Sequence, residues 1–267
     1  MANAPRQFMT LCSALVFVAS VGCDATTQTT PSSLPEPTIQ PLVEESNIDP
    51  EEEYEQGSNS VLRRDFKNAI KHLTLAIDHW GKRPGIHHVY YERGVAYECI
   101  GEFDRSIEDL TKAIEINSNV YSLFSRAKAY CGKNDYSGAL RDYLKAVESR
   151  PNDYRSLNAA AWLLACSPID ADRNGTRALE LATRASEETS YQDFICVDTL
   201  ACAYADLGEF QKAIEWETRA RDLFVAQEEV HDGPGAAEFT LDLVKYEDKL
   251  KFFREGKPFR EPAHADQ

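Results

Sequence analysis

Residues 93–113 read Arg93-Gly94-Val95-Ala96-Tyr97-Glu98-Cys99-Ile100-Gly101-Glu102-Phe103-Asp104-Arg105-Ser106-Ile107-Glu108-Asp109-Leu110-Thr111-Lys112-Ala113. The same grammar returns 33 residues later, with Arg126-Ala127-Lys128-Ala129-Tyr130, then Ala139-Leu140, Tyr143 and Ala146. A third copy reads Leu200-Ala201-Cys202-Ala203-Tyr204, then Ala213-Ile214, Glu217 and Ala220, and an upstream copy keeps Gly57, Phe66, Ala69-Ile70, Leu73 and Ala76. Self-similarity at a period of about 30–40 residues is the mark of a repeat architecture, in which each unit buries its apolar face against its neighbours.

Each copy reads as two antiparallel helices. Phe103, Ile107, Leu110 and Ile114 recur at spacings of three and four, which places them on one helical face. Between the helices stand Gly101-Glu102-Phe103, Asn134-Asp135-Tyr136 and Gly208-Glu209-Phe210. Gly or Asn suits a left-handed residue closing a helix C-terminus, and an acidic residue suits the next N-terminus. Small residues at Gly94, Ala127 and Ala201 let two helix backbones approach, those at Ser106, Ala139 and Ala213 do the same on the facing helix, and Tyr97, Tyr130 and Tyr204 fill the space beside them.

These residues resemble the tetratricopeptide repeat, with its small residue, Tyr, Ala, aromatic and closing Pro, here Pro151. The resemblance covers 50–226, divided into units at 50–86, 87–119, 120–153, 154–190 and 191–226. Two units depart from the pattern: the first has Ser60 where Tyr is expected, and the fourth, built on Ala161-Trp162-Leu163-Leu164 and Ala178, Ala182 and Ala185, has about five extra residues in its turn. The implied fold is all-α, a right-handed superhelical solenoid of about five helix pairs. Glu238 to Arg254 forms one more helix on a stripe of Phe239, Leu243, Tyr246, Leu250 and Phe253, expected to cap the open end of the stack. The ending, Gly256-Lys257-Pro258-Phe259-Arg260-Glu261 with the Cys166-Ser167-Pro168 loop, is similar to repeat proteins of planctomycete-like bacteria, a likeness of lineage and not of activity.

The resemblance also implies where a partner binds, because the first helix of each unit lines a concave groove in such proteins. The carried-over positions are Tyr91, Glu92 and Glu98 from the second unit, and Phe124 and Lys128 from the third. Asn158 and Trp162 follow from the fourth unit, and Asp198 and Asp206 from the fifth. This is an aromatic floor with acidic ends, suited to an extended or helical peptide with apolar anchors and some basic residues. A central aromatic can dominate such an interface, so Trp162→Ala is expected to abolish capture without unfolding the chain.

The formal net charge of −15 argues against a nucleic-acid phosphate binder, which needs a basic face. The N-terminus reads as a secretory signal over 1–22: Arg6, then an apolar run from Phe8 to Val21 too short to span a bilayer. Ser20-Val21-Gly22-Cys23 resembles the lipobox of bacterial lipoproteins, departing from it at Ser20. That resemblance implies a lipid on Cys23 and a cell-envelope location facing the periplasm. Ordinary cleavage after Gly22, giving a secreted protein, is the alternative. Residues 23–49, rich in Thr, Ser, Pro and acids, form a tether with too little apolar surface to fold, and 227–267 hold the cap and tail.

Cys99, Cys131, Cys166, Cys196 and Cys202 remain in the body, an odd number without a Cys-x-x-Cys, and read as small buried thiols. Cys131 is placed to meet Cys99 or Cys166 in a neighbouring unit. Catalytic sets are lacking: there is no Gly-x-Ser-x-Gly, phosphate-cradling glycine loop or His-Glu-x-x-His. His72, His79, His87 and His88 read as surface or packing residues. Asp170-Ala171-Asp172-Arg173-Asn174-Gly175 begins like a calcium loop, but its twelfth position is Leu181 and not Glu, so it reads as a polar turn with a capped helix start at Asn174 or Thr176. The functional expectation is a non-catalytic interaction scaffold with no metal or cofactor. The rival readings are a structural subunit of an envelope complex and, less favoured, a metal sensor or enzyme.

Overall fold

The computed structural model describes residues 48–81, 83–228 and 236–261, and of residues 228 and 236–242 the backbone alone. The expected signal, the Cys23 lipid site and the tether up to residue 47 lie outside the described residues. Eleven helices and no strand occur among the described residues. They pair as α1 (Pro50–Leu62) with α2 (Phe66–Trp80), α3 (Ile86–Cys99) with α4 (Phe103–Ile116), and α5 (Val120–Gly132) with α6 (Tyr136–Ser149). α7 (Tyr154–Cys166) pairs with α8 (Gly175–Glu188), α9 (Phe194–Asp206) with α10 (Phe210–Glu228), and α11 (Ala236–Arg254) packs on α10. α3 begins one residue before the 87–119 unit and α10 ends two residues after the 191–226 unit. No helix among the described residues is long and apolar enough to cross a membrane.

Local chemistry sets the helix ends. Asp65, Asn119, Asp135, Asp153, Asn174 and Asp193 each accept a backbone N–H of the first turn, which otherwise has no partner. Asp135, for instance, accepts from the Gly138 amide at 2.8 Å. The turns inside the pairs are left-handed at Gly101 (φ +79°), Asn134 (+61°) and Gly208 (+78°), and the first pair uses Arg64 (+62°) at the equivalent place. Within a pair the helices meet at the small residues: a Cβ on Gly94 would stand 2.8 Å from Leu110 Cγ, and Ser106, Ala139 and Ala213 are fully buried.

Two polar staples recur at the repeat offset. Arg93 donates from Nε and Nη2 to both oxygens of Asp109, at 2.7 and 2.9 Å, and from Nη1 to Thr74 of the preceding pair at 3.0 Å. Arg126 repeats this with Asp142, at 2.7 and 2.9 Å, and with Thr111 at 2.9 Å. Each arginine thus joins both helices of its own pair to the outer helix of the one before, with its guanidinium over Tyr97 or Tyr130. In the fifth unit Leu200 and Trp216 stand at the equivalent positions. In the fourth they are Ala160 and Leu181, both fully buried.

That exchange accompanies a change in packing. α7 is buried nearly all round, and its alanines at 159, 160, 161 and 165 let α9 pack directly beside it. One apolar core runs from Ala127 through α7 and α9 to Ala213 and Phe253. The link from α7 to α8 spans 167–174 and holds a short 3-10 turn at Asp170–Asp172, where the other first-to-second-helix links have three residues. Asp170 accepts from Arg173, Asp172 from the Ser137 hydroxyl at 2.8 Å, and Asn174 caps α8 through the Arg177 amide at 3.0 Å. The oxygens of the calcium-like run are therefore engaged as a polar turn and a helix cap.

Candidate functional site: a concave face in two halves

First helices touch one another from unit to unit, α1 with α3, α3 with α5 and α7 with α9, whereas no pair of second helices packs to a comparable extent. In a curved stack the elements on the inside of the bend approach most closely, so the first helices form the concave side. All nine residues expected to line a groove belong to α3, α5, α7 and α9, and the structure divides them into two groups.

The first group is accessible from outside. Tyr91, Glu92, Phe124 and Lys128 are partly exposed. The Tyr54 hydroxyl donates to Glu92 Oε1 at 2.9 Å and the Ser58 hydroxyl to the same oxygen at 3.2 Å, while Glu92 Oε2 is buried and finds no hydrogen-bond partner in the protein. Burial and the adjacent Glu92 carboxylate push the Tyr54 phenol well above its ordinary range. Lys128 Nζ reaches Glu98 Oε2 at 3.0 Å, and Glu98 is only 5% exposed. Phe124 leans on Tyr143 with ring centroids 5.2 Å apart. Tyr91 is desolvated, which raises its phenol despite a bond to Ser125 and the nearby Lys128.

The second group is covered by the chain's own C-terminal segment. Asn158 and Trp162 are 2% and 6% exposed, and the Asp198 and Asp206 side chains are each 11% exposed. Lys249 of α11 binds Asp198 at 2.5 Å and sits 4.8 Å over the Trp162 ring. Past α11 the backbone turns back along α7. Phe259 packs on Trp162 with centroids 5.9 Å apart. Arg260 donates from Nη2 to Asp206 at 2.6 Å and from Nη1 to the Ala165 carbonyl at 3.0 Å, and the Glu261 amide donates to the Cys166 carbonyl at 2.8 Å. The expected end cap is thus also a filling of the concave side. Trp162→Ala consequently does not separate partner capture from packing, because Trp162 is the floor on which Lys249 and Phe259 rest.

Charge is concentrated beneath this segment. Lys249 lies among Asp198, Glu217 and Glu261, and Lys245 also acts on Glu261. Glu217 is fully buried with neither oxygen bonded, and burial followed by the Asp198 charge pushes its carboxyl well above the ordinary range. Glu261, 2% exposed and likewise unbonded through its carboxyl, is pushed up to about 7 by burial. Cys166 and Cys202 meet here across α7 and α9, and none of the described thiols is in a disulfide. The histidines find ordinary partners: His72 with Glu53 at 2.7 Å, His79 with the Leu75 carbonyl at 3.0 Å and His87 with Asn117 at 3.0 Å, while the His88 ring lies 4.0 Å from that of His87.

Sequence reasoning missed Lys249, Glu217, Phe259, Arg260 and Glu261. A signal was present: Phe259-Arg260 follows the cap immediately, in an acidic chain whose fifth unit offers Asp198 and Asp206 to a cation.

Comparison with known proteins agrees with the repeat reading. The tetratricopeptide repeat family matches residues 87–120. Serine/threonine-protein phosphatase 5 of Mus musculus is 32% identical over 102 residues, 37% of this chain and 19% of that protein. Hsp70-Hsp90 organizing protein 2 of Arabidopsis thaliana is 28% identical over 109 residues, 40% of this chain and 19% of that protein. The chain therefore spans about a fifth of the length of these relatives, and the likeness to the phosphatase falls on its repeat region. Among solved structures, a tetratricopeptide repeat protein from Parabacteroides merdae superposes with a TM-score of 0.58 at 16% identity, covering 80% of each chain. MamA from Desulfovibrio magneticus gives 0.57 at 16% identity, over 69% of this chain and 97% of that one. The chain carries a tetratricopeptide repeat at 87–120, and its helical body has the fold of a tetratricopeptide solenoid.

Proposed function

We propose that the chain is a non-catalytic scaffold that holds a protein or peptide partner on the open half of its concave face, over α3 and α5. The observation that carries this is the contrast between the two halves. Tyr91, Glu92, Phe124 and Lys128 remain partly exposed, whereas Asn158, Trp162, Asp198 and Asp206 are covered. The fold supports the reading, since stacked helix pairs present an extended concave surface of this kind. The partner best fitted is a peptide with an aromatic or aliphatic anchor and a basic group, matched to Tyr91 and Phe124 beside Glu92.

The same proposal places the scaffold at the cell envelope, tethered through a lipid on Cys23, on the strength of the signal-like N-terminus and the Ser20-Val21-Gly22-Cys23 run. Crosslinking capture from intact cells tests it, comparing wild type with Tyr91→Ala/Phe124→Ala after circular dichroism shows equal helicity. The account expects a partner captured by wild type and reduced at least tenfold by the variant. Equal capture by both would move binding off this face.

A further inference from the structure

The segment that covers the second half of the concave face is bound the way a peptide ligand is bound. It enters from α11 and uses a side-chain anchor, a charge pair and main-chain bonds in sequence: Phe259 on Trp162, Arg260 on Asp206, and the Arg260 and Glu261 donors on the Ala165 and Cys166 carbonyls. These carbonyls belong to the last turn of α7, where helix ends leave acceptors without intrahelical partners. The fit is also incomplete. The Glu261 carboxyl is buried with neither oxygen bonded, and on α7 the Asn158 Oδ1 and the Trp162 Nε1 are buried without a partner in the protein. An occupant that satisfied these groups would bind the same seat with less polar cost.

We propose that the seat formed by Trp162, Asp206 and the Ala165 and Cys166 carbonyls is a second peptide site, which takes an aromatic–arginine segment of a partner protein in exchange for the chain's own Phe259-Arg260-Glu261. The chemistry selects that class of ligand. The rim supplies Asp198 and Asp206: Lys249 neutralises the first, and the second has the Arg173 guanidinium 4.0 Å away, beyond hydrogen-bond distance, so the guanidinium that hydrogen-bonds Asp206 is the one the docked segment brings, at 2.6 Å. The Trp162 ring supplies a flat apolar face for the residue before it. The inference rests on reading the concave face as a partner surface. It needs no cellular partner for its test, so its failure is distinguishable from failure of the open-half proposal.

The test uses a fluorescein-labelled peptide with the sequence Gly-Lys-Pro-Phe-Arg-Glu, residues 256–261, and the full chain. Binding is measured by anisotropy to wild type, to Phe259→Ala/Arg260→Ala, and to that double variant with Asp206→Asn added. Exchange predicts that the double variant binds the peptide at least tenfold more tightly than wild type, because the competing segment is weakened. It further predicts that Asp206→Asn, or alanine for the peptide's arginine, removes at least tenfold of that affinity. A folded double variant that binds no better than wild type overturns the proposal, as does indifference to Asp206→Asn. If the double variant loses helicity, hydrogen exchange on wild type decides: excess unlabelled peptide speeds exchange of the Glu261 amide at least tenfold if the seat is exchangeable, and an unchanged rate overturns it.

Discussion

Glu261 shows how a single residue ties the concave seat to pH. Its carboxyl faces Asp198 of α9 and Lys249 and Lys245 of α11, with Glu217 of α10 in the same buried group. Burial raises it from an ordinary 4.5 to about 7, so the docked segment binds a proton that the released segment gives up. Docking is then strongest below pH 4.5, weakens as the pH rises from there to about 7, and is level above that. The Glu261 amide, bonded to the Cys166 carbonyl, reports it. After correction for intrinsic exchange, its protection is expected to be at least threefold greater at pH 5.5 than at pH 8, and Glu261→Gln should flatten that difference. A protection ratio that the glutamine variant leaves intact contradicts the assignment. None of this was legible from the sequence, because a carboxyl three residues past Pro258 reads as solvated until the backbone is seen to turn back onto α7.

Among the elements, the joint between units is the informative level. Arg93–Asp109 and Arg126–Asp142 are bidentate pairs whose aspartates are 3% exposed, and each arginine also bonds a threonine of the preceding outer helix. Removing one partner of such a pair leaves a buried charge alone and costs about 3–5 kcal/mol, while replacing both by apolar groups costs much less. Arg93→Leu alone is therefore expected to lower stability in urea unfolding by about 3 kcal/mol or more. Arg93→Leu/Asp109→Leu should recover at least half of that loss, as the fifth unit's Leu200 and Trp216 already illustrate. A double variant no more stable than the single one would deny the pair this role. Here the sequence was partly readable: the period, the five pairs, the left-handed Gly101, Asn134 and Gly208 and the longer fourth link all follow from spacing and residue type. The staples did not, because Arg93 and Asp109 lie on different helices and their encounter depends on the angle between them.

For the whole molecule, the first helices of the pairs line the concave side, and α11 with residues 255–261 covers part of it. The half over α3 and α5 keeps Tyr91, Glu92 and Phe124 partly exposed; the half over α7 and α9 is roofed by α11 and residues 255–261. The nine positions taken from the repeat resemblance all lie on α3, α5, α7 and α9, the first helices of their pairs. The resemblance carried no information about occupancy, since what covers Asn158, Trp162, Asp198 and Asp206 comes from beyond the last repeat.

The most direct measurement is site-specific photo-crosslinking in intact cells, with the photoreactive residue placed at Phe124 on the open half and, separately, at the exposed Ile116 on an outer helix. The account predicts a partner adduct from position 124 and none of comparable yield from position 116. Adducts from position 116 with none from 124 would contradict the central claim and put the interaction on the outside of the solenoid.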